Sequence, residues 1–300
     1  MEVGEPDVRY RLEKMFKQEA CERSLTSILV WSDYMEFILR QQQGKLPYLY
    51  LPFHGKGGAR AFFTTRLGGV SRGCYSSLNL GYHTGDQTDA VTVNRRLAAQ
   101  TLGINDERFV TVDQVHGDRV LAIESERDVV AKKGSMADAM VTHLQDVALT
   151  ILCADCQAVY IYDPLQRVIA VAHAGWRGTV TRVAANCLQV MAHLYGSRPR
   201  DCRTALSPAA GFCCYEVGES VCAAVKEAFP GLWQGLLAKK DTDRWHFNIS
   251  QANSLVLQDA GVIKENICIS KLCTICRQDI FFSHRGSKGA TGRMAAVLVQ

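Results

Sequence analysis

The stretch Ala148-Leu149-Thr150-Ile151-Leu152-Cys153-Ala154-Asp155-Cys156-Gln157-Ala158-Val159-Tyr160-Ile161-Tyr162, continued by Arg167-Val168-Ile169-Ala170-Val171-Ala172, decides the fold. It holds three short apolar runs of strand length, rich in β-branched and aromatic residues and separated by polar or small ones. Ala148 to Cys153, Ala158 to Tyr162 and Arg167 to Ala172 therefore read as strands with buried faces. None approaches the roughly 20 apolar residues that a membrane helix requires.

Working outward, the same criteria mark strands at Ala59 to Thr65, Phe109 to Val115, Arg119 to Ile123, Ala137 to Thr142, Arg203 to Leu206, Trp245 to Ile249 and Met294 to Val299. Helical spacing marks Asp89 to Leu102, Gly178 to Tyr195, Val217 to Ala228 and Gln251 to Asp259, the last with Ser250 as its candidate cap. Strands outnumber helices and do not alternate with them regularly. The expected class is α/β in the α+β sense, with mixed sheets and helices outside, rather than a doubly wound dinucleotide-binding domain. Regular alternation begins at Tyr48-Leu49-Tyr50-Leu51, so residues 47–300 read as one catalytic domain. Residues 1–46, charged and carrying a helix-like segment from Val8 to Glu22, read as an extension, either flexible or translated from a start upstream of Met35.

With 47% hydrophobic and 21% charged residues among 300, the composition is that of a globular protein with a sizeable core. A net charge of +4, without a Lys/Arg block, offers no nucleic-acid footprint and no membrane-binding surface. Met1 to Ser24 lacks the apolar centre of a signal peptide, so a cytoplasmic address is expected. The 12 cysteines then read as reduced thiols, mostly small core residues, and Cys213-Cys214 is not expected to bridge to itself.

Three segments each bring one metal-binding side chain to the end of an apolar run: Gln114-Val115-His116-Gly117, Ala154-Asp155-Cys156 and His173-Ala174-Gly175-Trp176-Arg177-Gly178. Two imidazoles and one thiolate leave a fourth position open, the arrangement of catalytic rather than structural zinc. Gly175 and Gly178 are expected to let the chain turn into a helix whose N-terminus, with Arg177, suits an anion such as phosphate. Cys153-Ala154-Asp155-Cys156 and Cys273-Thr274-Ile275-Cys276 are both CxxC pairs, but they stand too far apart for a zinc ribbon. A redox CxxC opens a helix, whereas a strand follows Cys156. Cys153 is assigned to core packing.

The loop Thr64-Thr65-Arg66-Leu67-Gly68-Gly69-Val70-Ser71-Arg72-Gly73, followed by Ser76-Ser77-Leu78-Asn79-Leu80, contains a formal G-x-S-x-G. A nucleophile elbow needs a strand directly before the serine and a helix directly after, and neither is present here. Arg66, Ser71 and Asn79 are instead candidates for holding a polar substrate. Near the C-terminus, Phe281-Phe282-Ser283-His284-Arg285-Gly286-Ser287 and Thr291-Gly292-Arg293-Met294 add Arg285 and Arg293 as candidates. Ser207-Pro208-Ala209-Ala210-Gly211-Phe212-Cys213-Cys214-Tyr215-Glu216-Val217-Gly218 is expected to border the same pocket.

From Tyr48 to Gln300, the ordered motifs TRLGGVS, SLNLG, QVHG, ADC, HAGWRG, CCYEVG, FFSHR and TGRM resemble the YfiH/YlmD family, long called laccase-domain or polyphenol oxidoreductase proteins and now regarded as purine nucleoside phosphorylases. The resemblance implies a layered α/β/β/α fold and zinc held by His116, Cys156 and His173. It further implies phosphorolysis of adenosine, inosine, guanosine or methylthioadenosine, with adenosine deaminase activity in some members. Purine nucleoside and phosphate are then the partners, and the chain a monomer or small homo-oligomer. Cys153 stands where many relatives have threonine, and Ser207 to Phe212 departs from the commoner GPxIGPCCYEVG form.

Copper is the older expectation, but multicopper sites use H-x-H pairs and this chain has 8 histidines with none so spaced. Nor does it carry the H-x-E of zinc nucleobase deaminases, so Asp155 is the candidate proton shuttle for any deamination. The alternative chemistry is a cysteine hydrolase or amidase with Cys156 as nucleophile and His173 as base. Should His116 prove a bystander, Cys153 and His143 are the remaining ligand candidates.

Overall fold

In the computed structural model, residues 37–41, 45–53, 58–241 and 244–300 are described. The helix-like segment Val8 to Glu22 and the alternative start at Met35 lie outside them. The strands are, in chain order, β1 (Ile38–Arg40), β2 (Tyr48–Pro52), β3 (Arg60–Thr64), β4 (Phe109–Thr111), β5 (Val120–Ile123), β6 (Ala139–Thr142), β7 (Ala148–Cys153), β8 (Gln157–Asp163), β9 (Val168–Ala174), β10 (Arg203–Leu206), β11 (Glu216–Val217), β12 (Leu237–Lys239), β13 (Trp245–Phe247), β14 (Ile267–Ile269) and β15 (Met294–Val299). The α-helices are α1 (Thr88–Leu102), α2 (Glu126–Ala131), α3 (Trp176–Val180), α4 (Val183–Tyr195), α5 (Glu219–Ala228) and α6 (Ile249–Asp259).

The three runs of the deciding stretch form β7, β8 and β9, and the chain changes sheet between the first two. One six-stranded sheet has the order β1-β2-β3-β15-β7-β4, the other β14-β10-β8-β9-β6-β5, and each is mixed, with a parallel pair at β4/β7, at β5/β6 and at β10/β14. β11, β13 and β12 form a small antiparallel sheet beside them.

Alternation along the strands sorts side chains into three layers of core. Val159 and Ile161 of β8 and Val168, Ala170 and Ala172 of β9 pack under α4 and α6 on the outer face of the second sheet. Phe62, Ala148, Ala295 and Val297 pack with Ala98 and Leu102 of α1 on the outer face of the first. The opposite residues fill the space between the sheets, where the fully buried Tyr160 donates its hydroxyl to the Phe62 carbonyl across the gap, 2.8 Å away. That hydrogen bond satisfies a phenol that burial would otherwise penalise. The result is helix, sheet, sheet, helix.

Several local expectations are corrected. The sheet reaches back to Ile38–Arg40, before the alternation at residue 48. The helix expected from Gly178 to Tyr195 is two helices: Arg182 adopts a left-handed φ of 64° between α3 and α4. Val217, expected to open a helix, instead forms a strand with Glu216 that pairs with Trp245 and His246, so α5 starts at Glu219. The cap of α6 is Asn248, whose side chain accepts from the Gln251 N–H, and not Ser250. The short α2 was not foreseen, although Ser125 and Asp128 form a reciprocal capping box around its first turn.

Candidate metal centre

The register of the β8/β9 hairpin builds most of the site. Gln157 pairs with Ala174, so the residues just beyond, Cys156 and Gly175, face each other at the open end. His173, opposite Ala158, is on the strand rather than past its end and points into the space between the sheets, 3% exposed. The third side chain, His116, comes from the loop after β4 in the other sheet. One ligand atom from each of His116, Cys156 and His173 lies within 4.8 Å of the others, and the two imidazole centroids are 4.8 Å apart. Neither Cys153 nor His143 belongs to this group: Cys153 is a buried core residue at the end of β7, and His143 lies against Tyr195 at 5.2 Å.

Gly175 has an ordinary φ of −68°, so its role is not the turn expected of it. A Cβ there would sit 2.9 Å from Cys156 Sγ and 3.4 Å from His116 Nδ1. Gly178 is similarly confined, with a Cβ 3.0 Å from the His173 carbonyl oxygen and 3.2 Å from that of Gly117. Both glycines let the ligands converge.

Asp138, which sequence reasoning did not single out, organises two of the three ligands. Its carboxylate is wholly buried, lies 2.9 Å from His173 Nδ1, and accepts the backbone N–H groups of Val115, His116 and Gly117 at 3.2, 3.0 and 2.6 Å. The left-handed φ of 59° at His116 is thus held by a carboxylate that also orients the other histidine. Burial opposes the charge on Asp138, but His173 and these N–H groups hold the carboxyl below its usual value. The visible signal was a lone acid inside the apolar run Ala137 to Thr142.

The site is electrostatically coupled. Burial works against ionised Cys156, yet His173 and His116 outweigh it and bring the thiol down to about 6. Burial likewise works against charged His173, and Cys156 with Asp138 outweighs it, raising the imidazole to about 9. Without a cation the pair is therefore thiolate and imidazolium near neutrality. The donor set fits a tetrahedral cation: one soft thiolate, two imidazoles, a carboxylate behind one of them and a fourth direction without a ligand.

The remaining candidates separate into two groups. Arg66 donates to the carbonyls of Ser76 and Gln278 and lies over Phe282 at 4.6 Å. Ser71 donates to Asp86, and the fully buried Asn79 donates to Thr84, Asp86 and the Gly81 carbonyl while accepting from the N–H groups of Gly81 and Arg293. These three brace their loop internally and against Gln278 and Arg293. Arg293 donates to the carbonyls of Thr291 and Gly292. Asp155 also has both oxygens engaged, with the Thr274 hydroxyl at 2.6 Å and the Arg285 backbone N–H at 2.7 Å. By contrast Arg177 is exposed and stacks on Trp176 at 4.5 Å, while Arg285, also exposed, lies over Tyr215 at 5.4 Å and donates to the Glu216 carbonyl. Tyr215 senses the charges of Cys156, Arg285, Asp155 and Arg177, which places these groups around one ring.

The chain is similar to known proteins along most of its length. Residues 60–300 match the family described as multi-copper polyphenol oxidoreductase laccase. The purine nucleoside phosphorylase YlmD of Geobacillus stearothermophilus is 36% identical over 248 residues, covering 80% of this chain and 90% of that protein. A protein named adenosine deaminase RL5, from an unknown prokaryotic organism, is 34% identical over 233 residues, 76% of this chain and 88% of its own. The crystal structure of YlmD from Geobacillus stearothermophilus superposes with a TM-score of 0.79 at 31% identity, covering 88% of this chain and 99% of that one. That of YfiH from Bacillus licheniformis does so with a TM-score of 0.78, also at 31% identity, covering 83% and 96%. The chain belongs to the YfiH/YlmD family of laccase-like domain proteins.

Proposed function

We propose that this chain is a zinc-dependent purine nucleoside phosphorylase, cleaving adenosine, inosine or guanosine with phosphate to free base and ribose 1-phosphate. The observation that carries the reading is the convergence of His116, Cys156 and His173 within 4.8 Å, backed by Asp138, with His116 exposed and Cys156 half-buried. The names of the relatives supply the substrate class. When bound by these three residues, zinc supplies Lewis acidity that orients and polarises the substrate. The same donor set accepts copper, so metal analysis is part of the test.

The protein's own contribution is positioning and charge. Departure of the purine leaves an oxocarbenium-like sugar, which gains from an anion held on the opposite face. Arg177, exposed and kept in place by Trp176, is the group free to hold phosphate there, and Arg285 over Tyr215 extends the cationic rim. Because α3 has only five residues, the anion is assigned to the arginine side chain rather than to a helix end. Tyr215 offers an aromatic face and, with burial and nearby Cys156 pushing its hydroxyl up, remains a neutral phenol. Asp155 acts by positioning: with Thr274 and the Arg285 N–H on its two oxygens, it fixes the rim instead of passing protons.

The test is to incubate the purified protein with inosine, with and without phosphate, and to separate the products by chromatography. Ribose 1-phosphate and hypoxanthine formed only with phosphate support the reading, and hypoxanthine released without phosphate replaces it with a hydrolase. The second reading, a cysteine hydrolase, is favoured by one observation, the thiolate–imidazolium pair of Cys156 and His173. Metal-free protein that is active and labelled at Cys156 by a substrate analogue would support it.

A further inference from the structure

The second CxxC meets a partner that spacing alone did not suggest. Cys273 and Cys276 come together with the adjacent pair Cys213 and Cys214, and all four sulfurs lie within 4.8 Å of one another. Cys214 Sγ is 3.3 Å and Cys213 Sγ 3.6 Å from Cys276 Sγ. A tetrahedral cation with metal–sulfur bonds of about 2.3 Å separates its sulfurs by roughly 3.8 Å, whereas a disulfide needs about 2.05 Å. The spacing is that of ligands around a common centre.

We propose that Cys213, Cys214, Cys273 and Cys276 form a closed tetrathiolate zinc site, structural in kind and distinct from the open centre of His116, Cys156 and His173. The backbone is shaped for it. Gly211 approaches so closely that a Cβ would sit 2.9 Å from Cys273 Cβ and 3.2 Å from Cys213 Sγ. Its N–H donates to Cys273 Sγ at 3.2 Å, and the N–H groups of Ile275 and Cys276 turn toward the same sulfur. Such N–H donors stabilise sulfur in the anionic state that a metal requires. Four thiolates and no open position describe a staple, and the sulfur-only set selects zinc over harder cations. Loading releases the four thiol protons and changes no oxidation state.

The staple ties together two loops that wall the other centre. One runs from Ser207 to Gly218 and carries Tyr215; the other carries Thr274 and Arg285. They already touch through the Thr274 N–H to the Ala209 carbonyl, at 2.9 Å. Thr274, beside Cys273, donates to Asp155, beside Cys156, so one side-chain hydrogen bond links the chain neighbours of the two sulfur clusters.

Metal and thiol counts on the full chain, purified with zinc present, test this directly. Two zinc ions per chain are expected, with all 12 cysteines alkylated after denaturation without reductant. Zinc X-ray absorption should report more than two sulfurs per metal on average, because one centre supplies four and the other one. His116→Ala should keep the tetrathiolate zinc, whereas the double variant Cys213→Ser, Cys276→Ser should keep only the zinc of the histidine centre and melt several degrees lower. Zinc bound by no more than one sulfur with all thiols free, a pair of thiols missing from the count, or iron in the sulfur site would each overturn the proposal. These counts on the unmodified protein decide the matter even if the double variant fails to fold.

Discussion

The two sulfur clusters of this protein differ in ways that separate chemistry from construction. The centre of His116, Cys156 and His173 draws its ligands from both sheets, has one thiol, is backed by a buried carboxylate and leaves a direction open. The cluster of Cys213, Cys214, Cys273 and Cys276 draws on two loops, has only sulfur and closes on itself, with Cys213 and Cys276 exposed. The first sits where strand ends converge, so the sheets define its geometry and a metal is not needed to fold it. The second sits on irregular backbone outside the sheets, where two loops meet through turns and the Thr274 N–H to the Ala209 carbonyl. An open mixed-donor site on rigid strands suits turnover, and a closed uniform one on loops suits stapling.

The largest break in that contrast should come from the open centre. Cys156→Ser or His116→Ala is expected to lower phosphorolysis by more than about 100-fold, since losing even an outer partner of a ligand costs about 10- to 100-fold. Because the metal does not hold the sheets together, the melting temperature of His116→Ala should stay near that of the parent. A variant that keeps a zinc at this centre and full turnover would make His116 a bystander.

Asp138→Asn comes next. It leaves the side chain's volume but weakens its grip on His173 Nδ1 and the N–H groups of the His116 loop, so zinc affinity should fall by about 10- to 100-fold. Competition with a chromophoric chelator measures it, and an unchanged affinity would remove Asp138 from the site.

Arg177→Ala probes the rim. Loss of one exposed charge-assisted contact should raise the KM for phosphate about ten-fold, with little change in melting temperature. Asn79→Ala should do the reverse, since five hydrogen-bond partners converge on this fully buried side chain: about 1–3 kcal/mol of stability lost, read by denaturant unfolding, with KM near the parent's. Equal effects of both variants on KM would show that the Asn79 loop contacts substrate after all.

The smallest effect is a titration. In protein stripped of metal, Cys156 should stay reactive toward an alkylating agent as pH falls, until the thiolate is protonated near about 6. The depressed thiol favours the folded state fully only above its ordinary value near 9, and that contribution is lost as pH falls toward 6. The raised imidazole of His173 favours it fully below 6.5, and its contribution is lost as pH rises through about 9. The pair is thus intact between about 6 and 9, and alkylation with a midpoint near that of an ordinary thiol would refute it.

Sequence by itself determined the strands of the deciding stretch and the three side chains, His116, Cys156 and His173, that the fold brings together. Apolar runs of fixed length and imidazole or thiolate at their ends are local chemistry, independent of what packs on them. It also supplied the family, through ordered motifs lying within the matched residues 60–300. Tertiary structure alone decided which polar residues remain available. Arg66, Ser71 and Asn79 look like substrate groups in the sequence, but their hydrogen bonds run to Gln278, Asp86 and Arg293, residues up to 214 positions away. Asp138 looked like an ordinary strand residue until β6 was paired with β9, which carries His173, and the loop bearing His116 folded over it. Cys213-Cys214 and Cys273-Cys276 are distant in the chain, and the parallel pairing of β10 with β14, continued by the bridge between Ala209 and Cys273, brings them together. Long-range pairing of strands and loops carries no signature in local spacing, so a side chain's partners, and hence its freedom to act, appear only when the chain is folded.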